Sequence, residues 1–436
     1  MRRWMSKKKQ KIENLIRGKR RIRIAFFDYP DVFEDFYPHY GVDQKTFATT
    51  WHNTGNHAWL KIVQNEIGDI IWYALTLKPE FKEARHEYIG CRIKFIRSSW
   101  FHRKIWKFYY LSSINWKWRQ RFYNFYATIA SYSAVMSFPL FNALRKDKPD
   151  IIFVQEYCSG KYDMMIFYAW LFNIPLLTFH AGSVPERYLG KFMKLFTISR
   201  ADWIFSSGEI ELLRLKNSYK IPESRLSIIR PPVDITIYKP ISQETTNNIF
   251  NLDTSRRYFI FIGRLDDTVK RVSSIIDAFE KIIKEYYDID MLIIGTGKDE
   301  NKLIQKALKQ IPGRAHFMGW IGEDEDKTYL INMSECLIMA SKSEGFPAVI
   351  GEAFACGVPV ISSNVGTISD LVIEGKTGWL FDPGDEVGML KHMRWVASHP
   401  DEIKAMKNYI RNCAVENVSF EAITKTFKQS FSSLLH

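Results

Sequence analysis

Two glutamates, Glu344 and Glu352, flank a helix signal in S-E-G-F-P-A-V-I-G-E-A-F-A-C-G-V-P-V-I, with seven residues between them. A carboxylate accepts hydrogen bonds from sugar hydroxyls. A helix start offers free N–H groups and a partial positive charge, which suit a phosphate. Ser343, Gly345 and Pro347 discourage regular structure, and Pro347 suits a first helical turn. Ala348 to Cys356 favour helix, Gly357 supplies a positive φ just past its end, and Pro359 opens a short buried strand. Glu344 therefore precedes a helix and Glu352 lies more than one turn inside it. A solvated helix with two surface glutamates would show the same spacing, but these two sit among Gly, Phe, Pro, Ala and Val.

Two cations stand in a comparable position upstream. In Y-F-I-F-I-G-R-L-D-D-T-V-K-R-V, a strand over Tyr258 to Ile262 ends at Gly263, and Arg264 and Lys270 flank the loop before a helix. Arg offers a planar fork and Lys a point charge, and together they can hold a diphosphate. Alone, the pair reads equally well as surface charge. In the first half, Asp150 to Gln155 reads as a buried strand with Glu156 just past it. I-P-L-L-T-F-H ends a second strand at His180, before Gly182 and Ser183. A lone histidine is more often structural, but ligands gather at strand ends in parallel sheets.

Three other patterns lead away from chemistry. M-L-I-I-G-T-G lacks the third glycine of a dinucleotide fingerprint. Asp288-Ile289-Asp290 imitates a metal-binding D-x-D, yet it leads into a strand rather than out of one. Glu323 to Asp326 reads as a solvated helix start. No metal and no cofactor are expected.

The stretch from Ser341 to Asp370 strongly resembles the nucleotide-sugar site of retaining glycosyltransferases of family 4. That likeness is strong from Ser255 to Gly384 and holds only in outline before it. It implies the GT-B fold: α/β, two Rossmann-like domains facing across a cleft, and a C-terminal helix crossing back to the first. It also implies a nucleoside-diphosphate sugar as donor, with Glu344 on the sugar, Glu352 on the ribose, Arg264 and Lys270 on the leaving diphosphate, and His180 on the donor sugar. Gly263, Gly345, Phe346 and Pro347 would lie near sugar and phosphates, Trp320 and Ile321 near the base, and Gly55 and Asn56 where the family brings glycines to the diphosphate. Many members read E-G-F-G where this chain has Pro347, which has no amide to give. Arg264, Lys270, Glu344 and Glu352 are expected to line one crevice.

Composition sets the frame for these groups. The 436 residues suit two domains, and 46% hydrophobic with 25% charged residues describes a globular chain. The expected organisation is a basic leader over 1–20, a Rossmann-like acceptor-side domain over 21–240 with an insert at 92–146, a donor domain over 241–410, and a returning tail over 411–436. Five scattered cysteines without C-x-x-C argue against a disulfide framework or zinc site and for a reducing compartment.

The net charge of +13 is uneven: residues 1–20 hold nine Lys/Arg against one acid. Between Glu87 and Asp147 lie eleven Lys/Arg, no acid, and Trp100, Trp106, Trp116 and Trp118. Cations mixed with interfacial aromatics favour an anionic membrane surface over nucleic acid, although helices that bury their rings and solvate their cations fit too. Phe122 to Leu144 is too polar to span and reads as one buried or interfacial helix. The expectation is a cytoplasmic protein, peripheral at the inner face of the membrane, acting on a glycan or lipid-linked acceptor. A sugar phosphorylase, a nucleotide-sugar epimerase or a non-catalytic membrane protein are the alternatives.

Overall fold

The structure, a computed structural model, describes residues 21–51, 56–112, 119–180, 191–241 and 250–433. The chain divides into two units, Met1–Ile229 with Thr424–His436, and Arg230–Ile423.

Apolar, β-branched runs form the first sheet: β1 Ile22–Phe27, β2 Gly68–Thr76, β3 Glu83–Arg85, β4 Arg92–Arg97, β5 Ile151–Gln155, β6 Leu176–His180, β7 Trp203–Ser206 and β8 Leu226–Ile228. Their spatial order is β3-β4-β2-β1-β5-β6-β7-β8, parallel throughout except at the β3–β4 edge. The order reverses between β1 and β5, where a doubly wound sheet opens its ligand crevice. Phe27 pairs with Val154, so Asp28 and Glu156 leave from neighbouring strand ends.

The long acidic, aromatic loop after β1 is held from below. Lys161, buried in the first turn of the helix Gly160–Phe172, donates from Nζ to the carbonyls of Asp28, Tyr29 and Pro30. Burial lowers its pKa, opposed by the nearby Asp31, Asp28, Asp35 and Glu156. On that helix Asp163 accepts from Lys194 Nζ at 2.8 Å, Thr197 Oγ1 at 2.5 Å and Tyr132 OH at 2.5 Å.

The stretch Phe122 to Leu144 differs from the expected single helix. It forms parts of two helices, Arg119–Ala134 and Phe138–Asp147. Ser137 is extended between them (φ −116°, ψ 123°), and Pro139 belongs to the opening turn of the second. A proline there lacks the N–H that would continue the first helix and clashes with the preceding turn. Among the described residues no helix is long and apolar enough to cross a membrane.

The second sheet contains β9 Arg257–Ile262, β10 Ile289–Ile294, β11 Ala315–Gly319, β12 Ser334–Met339, β13 Val360–Ser363 and β14 Gly378–Phe381. All are parallel, in the order β11-β10-β9-β12-β13-β14, with the reversal between β9 and β12. The sheet is buried on both faces: Phe259 and Phe261 enter one core, Tyr258 and Ile260 the other. Val233 N–H donates to the Val418 carbonyl at 2.7 Å, which ties the start of this unit to its end. Beyond it the helix Phe420–Ser433 returns to the first unit, where Phe427 packs its ring near Trp59 and Phe205 and Ser430 bonds Ser227.

The acids of the D-x-D pattern are engaged by bases. Asp290, buried in β10, accepts from Arg256, Arg314 and His316, and Asp288 pairs with Arg257. Burial works to raise the Asp290 carboxyl, but hydrogen bonds from His316, Arg256 and Arg314 outweigh it and hold it at about 2. Its contribution to stability is therefore present above the ordinary carboxylate pKa and is lost as pH falls from about 4 to about 2. Asp290→Asn should cost roughly 2 kcal/mol at neutral pH, with the difference closing across that window. Denaturant unfolding at several pH values measures it; a pH-independent difference would refute the assignment.

Candidate functional site

The reversal point of the second sheet collects most of the residues singled out from the sequence. At the exit of β9, Gly263 N–H donates to the Ile294 carbonyl at 3.0 Å. The backbone after β10 lies so close that a Cβ on Gly295 would stand 2.0 Å from the Gly263 oxygen. The Gly-x-Gly turn is thus a close-packing device for the loop carrying Arg264. That side chain is half exposed, 3.9 Å from Asp266. A short helix, Asp267–Lys270, follows and returns Lys270 to the strand exit, its Cε 3.9 Å from where a Cβ on Gly263 would stand.

At the exit of β12 the chain enters the Glu344 loop. Lys342 N–H donates to the Val269 carbonyl at 2.8 Å, joining this loop to the short helix. Lys270 Nζ then lies 2.5 Å from Glu344 Oε1, and Ser341 Oγ donates to the same oxygen at 2.6 Å. Both side chains of the ion pair are largely buried, Lys270 at 18% and Glu344 at 10% exposure. The Gly345 carbonyl accepts from Thr367 N–H and Oγ1. Gly366 has φ +61°, and a Cβ there would meet the Glu344 carbonyl at 2.1 Å. Only glycine permits that approach.

The helix Ala348–Ala355 begins at Pro347, which is its N-cap residue rather than a residue of its first turn. No side chain caps it, so its first N–H groups point out of the helix start without intrahelical partners. Phe346 packs onto the core beneath. Glu352, 5% exposed, lies inside this helix with Lys327 Nζ 3.3 Å from both of its oxygens. Lys327 also approaches Asp324 at 3.2 Å, and Tyr238 OH donates to Asp324 at 2.7 Å. Burial raises the Glu352 carboxyl, and Lys327 pulls it partly back. Ile321 packs on the core, whereas Trp320 is 77% exposed.

The structure thus joins Lys270 to Glu344 directly, places Arg264 on the same strand exit, and gives Glu352 a cation of its own. His180 belongs to the first unit. There its Nδ1 bonds Glu156 Oε2, and Tyr157 lies against its ring at 4.4 Å. Glu156 takes φ +66°, an uncommon conformation for a non-glycine residue. Gly55 lies outside the described residues; Asn56 opens the helix Asn56–Ile62.

Residues 242–413 match the model of the family described as glycosyl transferases group 1. Over these residues the chain is similar to the group 1 glycosyl transferases. Among curated relatives, it is 26% identical over 228 residues to the N-acetyl-alpha-D-glucosaminyl L-malate synthase of Bacillus anthracis, covering 50% of this chain and 58% of the other. It is 26% identical over 213 residues to the D-inositol 3-phosphate glycosyltransferase of Mycolicibacterium smegmatis, covering 48% of each. The chain therefore spans about half the length of these relatives. The fold is shared with HepE of Anabaena, solved in complex with UDP: TM-score 0.69 at 13% identity, over 94% of this chain and 100% of that one.

Reading the sequence alone missed Lys327, Tyr238 and Asp324. The acidic run was expected to be solvated, but Asp324 is bonded on both sides. The available signal was Lys327 itself, three residues past Asp324 and so on its helical face.

Proposed function

We propose that this protein is a retaining glycosyltransferase that moves a sugar from a nucleoside-diphosphate donor to a hydroxyl of a glycan or lipid-linked acceptor. Its role is in cell-surface polysaccharide or glycoconjugate synthesis at the inner face of the cell membrane, without a metal. The observation that carries the reading is the Lys270–Glu344 pair, made by segments 74 residues apart at the reversal point of a parallel sheet.

In this reading Lys270 and Arg264 face the diphosphate, with Gly263 at the strand exit and the uncapped helix start beside Gly345, Phe346 and Pro347. Glu344 takes the donor sugar, and Lys270 offsets a carboxylate charge that would otherwise repel phosphate. Glu352 holds the ribose, Trp320 and Ile321 attend the base, and His180, oriented by Glu156, addresses the sugar. Gly55 and Asn56, in the first unit, are the residues that the resemblance assigns to the diphosphate. Retention commonly uses a carboxylate nucleophile. Glu344 and Glu352 are both committed to the donor, so the acceptor hydroxyl attacks from the leaving-group face and the departing diphosphate takes its proton. Cations and helix N–H groups stabilise the charge that grows there. The HepE complex with UDP supports a nucleotide donor, and the glycosyltransferase name of the Mycolicibacterium smegmatis relative supports sugar transfer.

Lys327→Met tests the ribose assignment. Without its cation, the buried Glu352 carboxyl is pushed further upward, toward its neutral form. Donor KM should rise with kcat little changed, and the defect should shrink as pH increases and Glu352 ionises. A defect in kcat alone, independent of pH, would remove Glu352 from donor binding.

A further inference from the structure

The first unit presents apolar rings that its own core does not cover. On the helix Gly160–Phe172, Phe167, Trp170 and Leu171 are 48%, 59% and 47% exposed, spaced as one face of the helix. A chain of ring contacts runs from Trp170 through Phe167, Tyr168, Phe172 and Phe141 to Phe138, which is 73% exposed at the start of the helix Phe138–Asp147. The helix Lys191–Thr197, tied down by the buried Lys194–Asp163 pair, exposes Leu195 and Phe196.

The charges around these rings have one sign. The acids of the three helices, Asp147 and Asp163, are buried and engaged by Lys94 and Lys194. The exposed charges among their described side chains are Arg145 and Lys146. Arg200, just beyond, stacks its guanidinium 3.2 Å over the Phe196 ring. The rings link through the buried Tyr168 and the half-buried Phe172 and Phe141, and exposed apolar side chains anchored in this way mark an interaction site. A second copy presenting the same face would bring like charges together. Rings that bury at a headgroup boundary beside cations that meet anionic lipid fit a bilayer.

We infer that the face built by Phe138, Phe167, Trp170, Leu171 and Phe196, with Arg145, Lys146 and Arg200, docks the protein on an anionic membrane. The inference rests on the membrane-side placement proposed above and not on sugar transfer itself. Residues 1–20 are basic and would attract anionic vesicles by charge alone, so the decisive variant alters the rings.

The full chain and the variant Phe138→Ser/Phe167→Ser/Trp170→Ser are sedimented with vesicles of phosphatidylcholine, with and without phosphatidylglycerol, at physiological salt. Circular dichroism and thermal unfolding check the fold, and Arg145→Glu/Lys146→Glu serves as a second variant. The parent should bind only vesicles containing phosphatidylglycerol. The ring variant should lose more than roughly ten-fold in association, a little over 1.4 kcal/mol of anchoring. The charge variant should also bind more weakly. Parent-like binding by the folded ring variant, equal binding to both vesicles, or no binding by the parent would overturn the proposal. Transfer to a water-soluble acceptor should be unaffected in both variants. Absence of transfer in the parent, with vesicle binding intact, would count against the proposed function and leave the docking face standing.

Discussion

Lys270→Ala should lower kcat for sugar transfer by about 100- to 1,000-fold, the scale lost when one preorganised group facing developing charge is removed. The expectation follows from geometry. Lys270 is largely buried, fixed by its ion pair with Glu344, and set where two strand exits meet. A cation held there does not need to reorganise as charge develops on a leaving diphosphate. Removing it also leaves Glu344 buried without its partner, which destabilises the loop for a separate reason. The double variant Lys270→Ala/Glu344→Gln separates the two effects. It should recover thermal stability relative to the single variant and remain inactive. Recovery of transfer together with stability would mean that Lys270 acts only as a structural counterion.

The second large effect concerns the first unit. Asp163→Ala should destabilise it by about 3–5 kcal/mol, the cost of leaving one partner of a buried ion pair alone. Lys194 is 2% exposed and Asp163 1%, and the same carboxylate accepts from Thr197 and Tyr132. The variant therefore takes the carboxylate from a buried cation and an acceptor from two interior hydroxyls. Replacing both members, Asp163→Leu/Lys194→Met, should return most of the loss, since an apolar pair needs no desolvation. Equilibrium unfolding of the three proteins checks this. A loss below about 1 kcal/mol in the single variant would mean that water reaches the pair.

Much of the candidate site was legible because its pattern is local in sequence. Strand ends, the glycine after β9, and the loop before the helix Ala348–Ala355 are each specified within a dozen residues. The short-range pattern therefore singled out Gly263, Arg264, Lys270, Glu344 and Glu352 as candidates. What the pattern lacked was pairing over distance. Nothing near Lys270 announces Glu344 as its partner, and nothing near Lys327 announces Glu352. Those contacts arise from the order of the strands, which brings β9 beside β12.

The first unit was less legible for a related reason. Its loop after β1 has no glycine signature, and it is shaped by Lys161, a residue more than a hundred positions away whose ammonium reaches three loop carbonyls. A lysine at a helix start ordinarily reads as solvated. Its burial together with the next two residues, Tyr162 and Asp163, which point to different sides of the helix, is a tertiary fact. The break at Ser137 to Pro139, by contrast, was announced by its proline, and the low charge around it obscured that signal.

The central claim is a site in the second unit that holds a nucleoside diphosphate. Thermal unfolding of the parent and of Lys270→Ala, each with UDP, GDP, ADP and their sugars, tests it most directly. At least one nucleotide should raise the parent's melting temperature by several degrees, as expected for a ligand well above its Kd. That shift should be largely lost in Lys270→Ala. No shift with any nucleotide, or a shift that survives the substitution unchanged, would contradict it.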